Sequence, residues 1–93
     1  MWDMEKVTFS AKEGWLRIKF VLTVEDGKVK DVEYSASRCK TLRSVAEAVA
    51  GALKGVRVEE AKERVKEVLS GISLPENREN RRLLILRAFG LDG

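Results

Sequence analysis

Nine residues constrain this chain more than any other stretch. From Leu16 to Val24 the apolar side chains alternate strictly, at Leu16, Ile18, Phe20, Leu22 and Val24, with Arg17, Lys19, Val21 and Thr23 between them. Successive side chains of an extended strand point to opposite faces, so this spacing predicts one half-buried strand of an antiparallel sheet. Asp26-Gly27 marks a hairpin, and Lys28–Ala36 supplies the partner strand, with Val32, Tyr34 and Ala36 inward. A two-residue turn sets Phe20 opposite Glu33 and Leu22 opposite Asp31, driving two carboxylates onto the core face. A three-residue loop, Glu25-Asp26-Gly27 with the glycine left-handed, sets Phe20 opposite Val32 and Ile18 opposite Tyr34, and this is the expected register. Val7 and Phe9 add a shorter first strand.

After Cys39 the apolar period becomes helical. Leu42, Val45, Val49 and Ala52 or Leu53 share one face, and Gly55 ends the helix. Ser44 and Glu47 have capping-box spacing, which starts the helix there or one turn earlier. Val58, Ala61, Val65, Val68, Leu69 and Ile72 stripe a second helix, with Glu60 and Arg64 spaced for an ion pair. Ser73-Leu74-Pro75-Glu76 opens a third with a serine cap and a first-turn proline, and Leu83, Leu84, Leu86 and Phe89 form its apolar side. The expected fold is a single α+β domain over residues 1–93, β-β-β-α-α-α, with a three-stranded antiparallel sheet covered by helices on one face.

Composition removes several classes of function. Charged residues make up 35% of the chain, and the longest clearly apolar runs are far shorter than a membrane span. The single cysteine excludes an intrachain disulfide, and the absence of histidine excludes a Cys-His nucleophile and any His-ligated metal. Asp3, Glu5 and Lys6 leave no apolar core for a leader peptide, so a cytoplasmic location is expected. With glutamine absent and Glu, Lys, Arg and Val abundant, the composition is that of a heat-adapted protein.

Two features carry chemistry. Cys39 lies in Ser37-Arg38-Cys39-Lys40-Thr41, between the last strand and the first helix. Arg38, Lys40 and the following helix N-terminus favour a thiolate there; the alternative is a small apolar plug at the sheet–helix junction. The second feature is the cluster Arg78, Arg81, Arg82 and Arg87 on the last helix, either a site for an anion or acidic partner or a solvated face broken by Glu76 and Glu79. With basic and acidic residues interleaved along the chain and the arginine helix broken by these glutamates, nucleic acid is not an expected partner. Trp2 and Trp15 read as packing or interface residues rather than stacking platforms for bases, and Lys12 and Glu13 as turn residues.

Read together, these segments resemble the scaffold family of iron–sulfur cluster assembly, the NifU N-terminal domain and IscU, over about Lys12 to Phe89. Val29-Lys30-Asp31-Val32-Glu33-Tyr34 followed by Arg38-Cys39 resembles the family's strand leading to a Gly-Cys pair. Gly55-Val56-Arg57-Val58-Glu59-Glu60-Ala61 resembles its joint between helices, and Leu74-Pro75 with Arg78 resembles the approach to its last cysteine. The resemblance implies a SufE/NifU-like arrangement and three cysteine ligands assisted by an aspartate, with a histidine in many members. Here only the middle cysteine is kept, as Cys39, and the glycine before it is Arg38. The last cysteine falls at Arg81, preceded by Asn80 where histidine is common. The first Cys-Gly-Asp falls at Glu13-Gly14-Trp15 or, one residue earlier, at Lys12-Glu13-Gly14.

A [2Fe–2S] cluster or tetrahedral zinc needs about four ligands, so one chain is expected to hold neither; a cluster would need ligands from a partner. The resemblance therefore implies a divergent, non-enzymatic member of the assembly system. In that reading Cys39 accepts persulfide from a cysteine desulfurase, and Arg38, Lys40, Arg78 and Arg81 are the supporting or anion-binding residues. Its competitor is an interaction or regulatory module that keeps the fold without the chemistry. Cysteine desulfurase or other assembly proteins are the expected partners, with self-association left open.

Overall fold

The computed structural model describes residues 4–91, so Trp2 lies outside the described residues. Three strands, β1 (Met4–Glu13), β2 (Leu16–Glu25) and β3 (Lys28–Ala36), form one antiparallel sheet in the order β1-β2-β3. Three helices follow: α1 (Lys40–Leu53), α2 (Ala61–Gly71) and α3 (Glu79–Ala88). The expected α+β architecture is the observed one. The alternating face of β2 forms the centre of the core, with Leu16, Ile18, Phe20, Leu22 and Val24 all buried beneath α1 and α3. Among the described residues no helix is long and apolar enough to cross a membrane.

The first strand is not the short one expected: β1 pairs with β2 along ten residues, from Met4 opposite Glu25 to Glu13 opposite Leu16. The β2–β3 register also differs. Asp26 and Gly27 both have positive φ, 55° and 75°, which makes a two-residue primed turn with Glu25 opposite Lys28. The carboxylates stay off the core because β3 carries a bulge. Val24 faces Val29, Thr23 faces Asp31, and Lys30 is the extra residue. One inserted residue restores the parity that the short turn breaks. Phe20 therefore faces Tyr34, Leu22 faces Val32 and Ile18 faces Ala36, each two positions from the three-residue-loop register. The bulge also lets both Val29 and Val32 point inward.

α1 begins at Lys40 with Cys39 as its N-cap, the earlier of its two expected starts, and Ser44 lies exposed inside the helix. The starts of the other two helices shift for identifiable reasons. Beyond α1, Gly55 adopts φ 83°, and the following link joins the edge of β3. The Gly55 N–H donates to Val29 O at 2.7 Å, Val29 N–H to Val56 O at 2.8 Å, and Val58 N–H to Gly27 O at 2.9 Å. Those bonds hold Val58–Glu60 as a short 3₁₀ turn, so α2 starts only at Ala61 and Val58 is exposed. The expected Glu60–Arg64 pair is replaced by Arg64–Glu67, at 3.3 Å. α3 likewise starts at Glu79 rather than Ser73: Pro75 precedes a 3₁₀ turn, Glu76–Arg78, and no side chain caps it. Arg82 instead donates through Nη2 to the carbonyl of Ile72, tying α3 to the end of α2.

α3 is held to the sheet chiefly by Phe89. Its ring stacks on Phe9 of β1, with centroids 4.7 Å apart, and tilts against Phe20 of β2 at 5.1 Å. Only 1% of Phe89 is exposed. The buried stripe of this segment is Leu84, Ile85, Ala88 and Phe89, whereas Leu83, expected inward, is 52% exposed. Phe89→Ala leaves a cavity where three rings meet, and we expect a loss of about 3–5 kcal/mol in stability, read as a lower denaturant midpoint with an unchanged slope. An exposed Leu83→Ala should move the midpoint little.

Candidate functional site: a cysteine and a buried arginine

The site begins with Ser37, which fixes the chain where β3 gives way to α1. Its N–H donates to Arg17 O at 3.1 Å, its Oγ accepts from Arg17 N–H at 2.6 Å, and the same hydroxyl donates to Trp15 O at 3.0 Å. Those bonds tie the β1–β2 turn to the start of α1. Two residues on, the Cys39 N–H donates to Ser37 O at 2.7 Å, and the Cys39 carbonyl accepts from Arg43 N–H at 2.9 Å, the first bond of α1. Cys39 is thereby set at the helix N-cap with extended backbone, φ −142° and ψ 113°.

The half-buried Cys39 Sγ accepts a hydrogen bond from Nε of Arg81, on α3, at 3.5 Å. Arg81 Nη1 also donates to Asn80 Oδ1, at 2.6 Å. Only 6% of Arg81 is exposed, which makes it the buried charged residue of the core among the described residues. A buried guanidinium needs a counter-charge, because removing a cation from water costs several kcal/mol. Among the described residues no carboxylate pairs with Arg81; its partners are a neutral amide and the sulfur.

Two effects compete at the thiol. Burial pushes its pKa up, and this is the largest single contribution. The Arg81 hydrogen bond, the Leu42 N–H, the Arg81 charge and the Thr41 N–H each push it down, and together they prevail, leaving Cys39 below the ordinary thiol range. The sulfur makes no full capping hydrogen bond to these amides. They act on its charge as the exposed donors of a helix N-terminus.

This arrangement corrects the sequence-based picture of the arginines. Arg78, Arg81, Arg82 and Arg87 do not form one cluster: Arg78 is exposed, Arg81 turns into the core, Arg82 reaches Ile72, and Arg87 lies 3.8 Å from Glu13. Arg38 and Lys40, expected to activate the thiol, are both exposed, and Arg81 and the backbone amides do that work instead. Lys12 and Glu13 lie at the end of β1, with Lys12 opposite Arg17 and Glu13 opposite Leu16. Neither is bonded to Cys39. Trp15, expected to pack or to form an interface, is 63% exposed, which excludes the first role.

Of the site residues expected from the sequence, Cys39, Asn80 and Arg81 are therefore the ones brought into contact, through Arg81. The signal for Arg81 was present in the sequence: Arg81, Leu84, Ile85, Ala88 and Phe89 follow the i, i+3, i+4, i+7, i+8 pattern of one helix face. Among the described residues no group of three or more Cys, Asp or Glu side chains is gathered to hold a metal. One sulfur beside a guanidinium is a poor donor set for a cluster, because the cation repels the metal. No family model and no curated protein matches the chain.

The geometry predicts a pH-dependent thiol. Thiolate absorbance of Cys39 should rise at lower pH in the folded protein than in the unfolded chain, and Arg81→Met should move the folded midpoint upward. Because the folded pKa is the lower one, the thiolate's contribution to stability is full above the unfolded pKa and fades as pH falls through the folded value. A midpoint unmoved by Arg81→Met, in a variant with native circular dichroism, would assign the lowering to the helix alone.

Proposed function

We propose that this protein handles sulfur within iron–sulfur cluster assembly, accepting a sulfane sulfur on Cys39. The observation that carries the reading is the pairing of a half-buried cysteine with a buried arginine that has no carboxylate partner among the described residues. The likeness of Val29–Tyr34, the Gly55–Ala61 joint and Leu74-Pro75 to the NifU/IscU scaffolds supplies the biological setting.

The step is a thiol–persulfide exchange. The Cys39 thiolate attacks the outer sulfur of a donor cysteine persulfide, the donor's S–S bond breaks, and the donor cysteine leaves as thiolate. The outer sulfur and its proton end on Cys39 as a new persulfide, with no net oxidation or reduction. Arg81 favours the attacking thiolate beforehand and the ionised persulfide afterwards through a charge-assisted hydrogen bond. No cluster takes part in this step. The natural donor is a cysteine desulfurase, and the role assigned to this chain is that of carrier, not enzyme.

The competing reading keeps the fold as an interaction module and draws on the same arginine: a guanidinium in place of a ligand also suits a site that has given up its chemistry. Intact mass separates the two. After incubation with a cysteine desulfurase and free cysteine, the reduced protein should gain one sulfur atom, and Cys39→Ser should gain none while keeping its fold. Arg81→Met should load more slowly at neutral pH and recover as pH rises. Equal loading of the serine variant sinks the carrier reading. No loading of the wild-type chain, beside a control scaffold that loads, favours the module.

A further inference from the structure

The helices cover one face of the sheet and leave the other open, and charge on the open face is sorted along the strands. Side chains that alternate with the buried set form cross-strand rows there. At the end nearest Cys39, Lys12, Arg17 and Ser37 form one row, and Ser10, Lys19 and Ser35 form the next. Carboxylates enter only in the rows beyond, at Glu33 and then Asp31. The first two rows line a shallow groove of about 600 Å³. Lys12, Arg17 and Lys19 are exposed, and no ion pair joins them to a carboxylate among the described residues.

This surface is costly for folding alone, since Lys12 and Arg17 are direct cross-strand partners of like charge. The six side chains of the two rows are all polar or charged; Ala11, Ile18 and Ala36 also line the groove, but their side chains belong to the core on the other face. A protein partner of ordinary affinity needs a desolvated centre of apolar side chains, which these two rows lack, whereas nucleic-acid interfaces are polar and strongly positive. Exposed Trp15 lies in the turn that closes this end of the sheet, its carbonyl held by Ser37 Oγ at 3.0 Å. An open basic groove with an exposed tryptophan in the adjoining turn has the two parts used to bind single strands: cations along the backbone and a surface for stacking a base.

We propose that the open sheet face binds the phosphate backbone of single-stranded nucleic acid through Lys12, Arg17 and Lys19, with Trp15 stacking on a base at the edge. The arginines of α3 take no part, and the site is independent of Cys39. With three phosphate contacts, log affinity should fall with log salt at a slope of about −2, or about twentyfold between about 50 and about 200 mM salt.

Fluorescence anisotropy with a labelled oligo(dT) of about twelve nucleotides, a length that one small domain can engage, tests this on the intact chain. The triple substitution Lys12→Ser, Arg17→Ser, Lys19→Ser should weaken binding at low salt at least about tenfold and flatten the salt slope. Trp15→Ala should weaken it at least about fivefold. A control with the same charge loss elsewhere, Arg57→Ser, Lys62→Ser, Lys66→Ser, should bind like wild type. Absence of binding at low salt overturns the proposal. So does equal weakening by both triple variants, which would mark general attraction to a basic chain. Equal or tighter binding of a labelled oligoglutamate overturns it too, and assigns the groove to an acidic protein segment.

Discussion

The structure depends on one requirement: the inward face of β2 must be kept dry. Leu16, Ile18, Phe20, Leu22 and Val24 lie on the central strand, flanked on both sides, so cover can come only from above. Burying an aliphatic or aromatic side chain contributes roughly 1.5–3 kcal/mol, which makes these five positions the largest contiguous apolar demand of the chain. α1 meets part of it with Leu42, Val45 and Val49, and α3 meets the rest with Leu84, Ile85 and Phe89. Phe89 sets the rotation of α3, because its ring must enter between Phe9 and Phe20. Once that rotation is set, the residue two turns earlier on the same face is Arg81. The buried arginine is thus a consequence of how the helix packs, and its meeting with Cys39 follows from core geometry.

The pair that results has an unusual energetic position. A cation that is 6% exposed and lacks a carboxylate among the described residues stabilises any anion placed beside it, and the sulfur is the ionisable group in contact. Desolvation opposes ionisation, and the guanidinium with the two amides outweighs it. Substituting a neutral residue at position 81 would remove the hydrogen bond and the charge that lower the thiol's pKa, leaving only the two amides against desolvation. Substituting a cysteine would place two thiols together, which suits metal more than sulfur exchange. An arginine there favours a negatively charged sulfur and disfavours a bound metal cation.

Much of the fold was legible because burial and period agree. Strict alternation gave β2, the switch of period gave the helices, and the inward phase of β3 was right at Val32, Tyr34 and Ala36. The register was not legible, because a bulge leaves no compositional mark. Lys30 looks like any exposed lysine, and only pairing reveals that it is extra. α1 begins at the earlier of its two expected starts, but the starts of α2 and α3 were displaced where tertiary contacts override local signals. Ser73 has the right chemistry for a cap but lies ahead of a 3₁₀ turn, and the edge bonds of Val29 and Val58 hold the approach to α2 as another. At the site, Cys39 could be found from its neighbours. Arg81 was grouped with charged surface residues because its type outweighed its phase, and a stripe started at Arg81 instead of Leu83 would have placed it inside.

The two faces of the sheet make contrasting use of charge. Across the chain as a whole, 18 basic and 15 acidic residues are interleaved, and the exposed helix faces follow that pattern with pairs such as Arg64–Glu67 and Arg82–Glu79. On the open sheet face the pattern breaks. A glutamate opposite Lys12 or Arg17 would replace a cross-strand repulsion with an attraction, a change worth several tenths of a kcal/mol, at no cost to the core. A sequence shaped by folding alone has every reason to make that exchange. Local departures from what stability prefers mark places where something else is being recognised. The same test applies to Arg81, a charge in a core position where leucine would pack without desolvation cost. In both places the departure is a cation lacking a carboxylate partner among the described residues, once against a sulfur and once across an open groove, and each has the form of a site waiting for an anion.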